Sequence, residues 1–261
     1  QSDYENYVKT NYANLIQDVK VVNNWSYLSE YMKYFHDLGL NNPNQLSRPL
    51  YNQIMFGDAC NFNNVYILMV PKTISDPKNS ASVLTPAQKE LIISSIRSEK
   101  TLTSEVIPMD PVYTAFDLAI SNSGISANIN DISKTKLIVV QNLNSRKDAD
   151  SIKQDILNVF INYFNRKNVK LGQVIDINEL STNILSINGV KTFYTARIDS
   201  NIRLEGLSML TWNPIYTSDM STIVKSIALP YFKYAYLNNS NNFVNKIVIQ
   251  TERTVYEGIE Y

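Results

Sequence analysis

With 261 residues, 44% of them hydrophobic, the chain can build one large domain or two to three small ones, and it is too apolar to stay disordered. Its 24 basic and 24 acidic side chains cancel, and no run of like charge occurs, which argues against a nucleic-acid footprint and an anionic membrane surface. One cysteine, one histidine and seven scattered glycines leave no intrachain disulfide, no ordinary zinc site and no phosphate-cradling loop.

In chain order, Ser2-Asp3-Tyr4-Glu5 reads as a capping box, in which Ser2 and Glu5 satisfy the orphan N–H groups of a helix start. Tyr4, Val8, Tyr12 and Leu15 follow at helical spacing. Gln1 is not a Met and leads almost directly into this helix, so a fragment of a longer protein is expected. Residues 64–70 predict a strand that ends at Pro71, which has no N–H for a ladder. Thr85-Pro86-Ala87-Gln88 opens a second helix, with Pro86 at its first position and Leu91, Ile92 and Ile96 as the buried stripe.

In the strand expected over 112–120, Val112, Thr114, Phe116, Leu118 and Ile120 occupy one face; Tyr113, Ala115, Asp117 and Ala119 occupy the other. The apolar run 137–140 predicts a strand covered on both faces. The longest helix is expected over 148–166, with Ile152, Ile156, Val159, Phe160, Tyr163 and Phe164 forming a broad apolar face. Asp176 to Glu179 starts a short helix that buries Leu180, Ile184 and Ile187 and stops at Asn188-Gly189. Strands are expected at 192–197 and 246–251. The order predicts an α+β fold of two to three small helix-on-sheet subdomains with a β-rich C-terminal part. Residues 1–105 would form an N-terminal subdomain with an insertion at 23–63, residues 106–198 a central one, and residues 199–261 a mostly β region. The long helix should pack on a sheet containing both 112–120 and 192–197.

No residue is expected to be catalytic, to bind a cofactor or to hold a metal. His36 lies in a helical aromatic segment, and Cys60 as a nucleophile would need that histidine as its base. Asp148, Asp150, Asp176 and Glu179 suit the dipoles of helix starts. Glu252, Glu257 and Glu260 lack the alternation of a calcium loop. Asn24-Trp25-Ser26 and Asn238-Asn239-Ser240 match the glycosylation sequon by chance in an Asn-rich chain. No apolar run is long enough to span a bilayer. The unusual feature is aromatic content, with seventeen tyrosines and two tryptophans. Trp25, Tyr27, Tyr31, Tyr34 and Phe35 crowd the first third; Trp212, Tyr216, Tyr231, Phe232, Tyr234 and Tyr236 crowd the last. Such rings either fill a β-rich core or form protein interfaces, and composition leaves both open.

The order of segments resembles the baseplate J-like family over residues 3–198. The segments are the entry helix at Asp3-Tyr4-Glu5, a strand near 18–22, Val65 to Lys72, the Leu84-to-Lys89 helix start, Asp110-Pro111-Val112-Tyr113, Asn162-Tyr163-Phe164, Leu171 to Ile175, and Ile187 to Val190. After Asp199, Gly206 to Met209 and Leu229 to Phe232 resemble only the large wedge-type members of T-even-type contractile-tailed phages. The resemblance implies a baseplate scaffold that pairs with copies of itself and with other wedge subunits in a ring around the central hub; the aromatic clusters and the prevalence of twofold symmetry point to a homodimer through the 23–63 insertion or the tail beyond Asp199. That ring rearranges on contraction, without nucleic acid, membrane or cofactor, in a virion assembled in the host cytoplasm. A binding module unrelated to tails and an enzyme with a dispersed active site are the competing readings.

Overall fold

The computed structural model of the chain describes residues 2–32, 64–72, 82–99, 105–120, 127–215 and 219–251. The fold is α+β, and it divides into two interleaved units. One comprises residues 1–113, 170–173 and 229–234; the other comprises 114–169, 174–228 and 235–261.

In the first unit, helix α1 (Ser2–Asn11) leads into β1 (Ile16–Asn23), which pairs antiparallel with β2 (Asn64–Pro71). Helix α2 (Pro86–Glu99) then returns the chain to β3 (Glu105–Met109), parallel to β2 in the order β1-β2-β3. Val8 of α1, Ile92, Ile93 and Ile96 of α2, and Val19, Val21, Ile67 and Met69 of the sheet form one core. The buried stripe of α2 is therefore Ile92, Ile93 and Ile96, whereas Leu91 is 57% exposed.

The capping box at Thr85 forms as expected: Thr85 N–H donates to Gln88 Oε1 (2.9 Å), and Gln88 N–H donates to Thr85 Oγ1 (3.3 Å). At Ser2 the expectation fails. Ser2 is already helical, and Glu5 Oε1 accepts from Val21 N–H (2.8 Å), tying α1 to β1. Residues 170–173 join this unit through bonds that include Leu171 N–H to Asp18 Oδ2 (2.8 Å), Gly172 N–H to the Lys233 carbonyl (3.1 Å) and Leu229 N–H to the Gln173 carbonyl (3.2 Å). Gly172 sits at φ +69°, where a Cβ would lie 2.9 Å from the Tyr231 Cα, so no other residue fits without moving backbone.

In the second unit, β4 (Val112–Leu118, from Thr114 onward) and β5 (Thr135–Gln141) are followed by α3 (Ala149–Tyr163), β6 (Val174–Asp176), α4 (Ile177–Leu185) and β7 (Val190–Arg197). The tail supplies β8 (Arg203–Glu205), β9 (Met209–Trp212), β10 (Ser221–Ile223), β11 (Ser226–Ala228), β12 (Lys233–Leu237) and β13 (Ile247–Thr251). These strands form sheets in the orders β10-β9-β4-β12, β11-β6 and β13-β5-β7-β8.

The expected single sheet holding both 112–120 and 192–197 is thus two sheets. Strand β4 pairs with β9, whereas β7 pairs with β5. Nor do the three consecutive segments form separate bodies. The C-terminal β13 runs parallel to β5, with Ile247 opposite Leu137, which brings the tail into the same unit. Helix α3 packs against β13, α4 and the 3-10 helix Ser240–Lys246, and α4 packs against β7.

The apolar face of α3 is Ile152, Ile156, Leu157 and Phe160, with Phe164 at its end beside Phe116 of β4 (ring centroids 5.3 Å). Sequence spacing missed Leu157. Helix α4 buries Ile177, Leu180 and Ile184 and ends at Leu185, before the expected stop. Gly189 instead serves the turn into β7, at φ +101°.

Candidate interaction surfaces

Strand β1 ends at Asn23, whose Oδ1 accepts from Ser26 N–H (2.9 Å) and so caps the helical turn Asn24–Ser26. Asn24 is buried, and its Oδ1 accepts from the Tyr66 hydroxyl (3.2 Å). Tyr27 stacks on the Tyr66 ring at 4.0 Å and 15°. Anchored on both sides, the turn holds the Trp25 ring outward at 79% exposure. A large rigid ring left in water on an ordered turn is the kind of anchor that protein interfaces use.

The described aromatic residues of the tail have the other fate; Tyr216, like Tyr34 and Phe35 of the first cluster, lies outside the described residues. Trp212 is 5% exposed and packs with Ala115, Ala119 and Leu210; Tyr231, Phe232 and Tyr234 are buried as well. Tyr236 packs on the Trp212 cluster, and burial pushes its hydroxyl up to about 12. These rings are core.

Sequence patterning missed two buried charge clusters in the second unit. Asp117 of β4 is 0% exposed; Lys246 and Asn238 Nδ2 donate to its carboxylate, the latter at 2.8 Å. Leu118 N–H also donates, at 2.7 Å. Burial raises the Asp117 carboxyl above its ordinary range and lowers the Lys246 ammonium, each effect opposed by the partner's charge. At the end of β7, Arg197 lies between Asp131 and Asp199. Its Nε and Nη2 bind the two Asp199 oxygens at 2.8 and 2.7 Å, and Nη1 reaches Asp131 and the Ile120 carbonyl. The bonds from Arg197 hold the Asp199 carboxyl well below the usual range. Asp131 in turn accepts from Asn128 N–H (2.8 Å), and the Thr135 hydroxyl donates to the Asp131 carbonyl (2.8 Å). Each cluster ties a strand to a 3-10 helix, β4 to Ser240–Lys246 and β7 to Ile129–Lys134.

Strand pairing gives the β13-β5-β7-β8 sheet two unlike faces. Leu137, Val139, Phe193 and Ile247 share the buried one. Lys136, Ile138, Tyr194 and Ala196 share the other and, with Ser200, Asn201, Ile202, Arg203 and Gln250, line an open cavity of about 550 Å³. Arg203 stands over the Tyr194 ring at 5.8 Å, and the Tyr194 hydroxyl donates to Gln250 Oε1 at 3.3 Å.

Of the residues weighed for chemistry, His36, Cys60, Glu252, Glu257 and Glu260 lie outside the described residues. Asp148 caps α3 through Ser151 N–H (2.8 Å), and the bonds from Ser151 lower its carboxyl; Asp176 caps α4 through Asn178 N–H (2.9 Å). Both therefore do the helix-start work expected of them. Among the described residues no group of three His, Cys, Asp or Glu could hold a metal ion, and no helix is long and apolar enough to cross a membrane. Comparison of the sequence with protein-family models and with characterised proteins found no match.

Proposed function

We propose that the chain is a structural, protein-binding subunit of a contractile-tail baseplate wedge, acting through contacts with its own copy and with other wedge subunits. In this role it has no catalytic centre and no cofactor, it belongs to the virion, and it moves with the ring when the tail contracts. The observation that carries the protein-binding part is Trp25, exposed on an anchored turn at the start of the 23–63 insertion. Covering that ring removes on the order of 150 Å² from water, worth about 4 kcal/mol before association costs. The baseplate part is supported by the family resemblance. Its quoted segments fall on α1, β1, β2, the start of α2, β4, the end of α3, β6 and the turn into β7, in that order. The described rings of the tail, the other candidate for the self-contact, are packed in the protomer, which favours the Trp25 surface for that contact.

Size-exclusion chromatography with light scattering, on the chain alone and mixed with the baseplate wedge subunits encoded beside it, tests the reading. A dimer that co-elutes with at least one wedge subunit is expected. A dimer that binds none of them would make this a module unrelated to tails.

A further inference from the structure

We propose that the open face of the β13-β5-β7-β8 sheet is a docking groove for a carboxylate-bearing peptide segment of a partner protein. Among the described residues, every charged side chain lining the cavity is a cation: Lys136, Arg197 and Arg203. Asp131 and Asp199 already answer Arg197. Among the described residues the other two have no carboxylate partner. Lys136 Nζ donates to the Asn245 carbonyl (2.7 Å), which leaves its charge in place, and Arg203 has a ring for a neighbour and no carboxylate among the described residues.

The register explains why the two cations act together. Lys136 pairs with Ala196 and Ala196 with Arg203, so the three form one row across β5, β7 and β8. With neighbouring strands about 4.8 Å apart, the cations stand roughly 10 Å from each other at the backbone, with only an alanine methyl as floor between them. A carboxylate above Ala196 would lie between Arg203 and Lys136, whose ammonium would leave the Asn245 carbonyl to meet it. The fork of Arg203 suits bidentate capture, and its place over Tyr194 limits the rotamer freedom lost on binding. The Ser200 hydroxyl oxygen, buried at the edge of this cavity, has no hydrogen-bond partner among the described residues.

Ile138, Ile198 and Ile202 supply apolar wall, which suits a peptide with acidic and apolar side chains. A nucleic-acid backbone needs a longer track of cations than two. The groove's chemistry does not depend on the baseplate reading.

Fluorescence anisotropy of fluorescein-labelled decaglutamate with the full chain tests the proposal. Saturable, salt-sensitive binding is expected, at least 10-fold tighter than for decaglutamine and at least 10-fold weaker in Lys136→Ala/Arg203→Ala. Should that double variant misfold by circular dichroism, Arg203→Glu alone must produce the same loss, because Arg203 is solvent-exposed. Equal binding of the two peptides, or of the variant and the parent chain, overturns the proposal. So does inorganic polyphosphate displacing decaglutamate at lower charge concentration than unlabelled decaglutamate, since the groove would then be a phosphate site.

Discussion

Replacing Lys246 by Met should leave Asp117 as a carboxylate at 0% exposure with no cation beside it. At an effective dielectric of about 20, unit charges ~4 Å apart interact by ~4 kcal/mol, and breaking a buried pair from one side typically costs about 3–5 kcal/mol. Near neutral pH the variant should therefore lose about 3–5 kcal/mol of unfolding free energy. Asn238 Nδ2 and Leu118 N–H remain as donors and place the loss toward the lower end of that range.

The pH dependence has a definite sign. Burial already holds the Asp117 carboxyl above its ordinary value of 3.8, and losing Lys246 raises it further. A carboxyl with a raised folded pKa contributes stability that is complete below the unfolded pKa and is lost as pH rises through the folded one. The deficit of Lys246→Met should thus be largest near neutrality and shrink on acidification. Urea denaturation followed by circular dichroism at about pH 7 and about pH 4.5 measures it. The double variant Asp117→Asn/Lys246→Met should recover most of the loss, since no buried charge is then left alone. A deficit below about 1 kcal/mol at neutral pH, or one that grows with acid, would refute the reasoning.

Trp212→Ala should cost about 3–5 kcal/mol in the same assay, because the ring packs in the second unit's core, whereas Trp25→Ala should stay within about 0.5 kcal/mol. Gly172→Ala should destabilise by at least about 1–3 kcal/mol, from positive φ and contact with the Tyr231 backbone; a neutral effect would show that this turn can move. Thr85→Ala should cost about 1 kcal/mol through loss of the capping box, measurable as a lowered urea midpoint.

Local chemistry was the legible part of the fold. The Thr85 cap, the strand ending at Pro71, the starts of α3 and α4 at Asp148 and Asp176, and the β-rich tail depend on neighbours within four residues or on composition, and each forms. Pairing between distant strands was not legible. That β13 would join β5 in parallel, or that β4 would leave the β7 sheet for β9, is decided by contacts over a hundred or so residues, which periodicity does not encode.

The buried charges were hidden for the same reason. Asp117 alternates with apolar neighbours in a way that suits a half-exposed strand, and its partner Lys246 lies at the far end of the chain. Leu91 and Leu157 show the limit of helical stripes, since a residue at the stripe's edge is buried only if a neighbouring element reaches it. The site residues divided similarly. Trp25 and Trp212 have equal standing by composition, and only the anchored turn around one and the closed core around the other separate them.

Sedimentation equilibrium of the full chain over a wide concentration range, alone and as Trp25→Ala, tests the account's central claim. The account predicts a reversible dimer with an interface of about 1,200–2,000 Å². As a central anchor worth about 2 kcal/mol, Trp25 should weaken the dimer by about 30-fold when replaced, with the protomer's circular dichroism unchanged. A chain that stays monomeric at every concentration, or a dimer indifferent to Trp25→Ala, would contradict it.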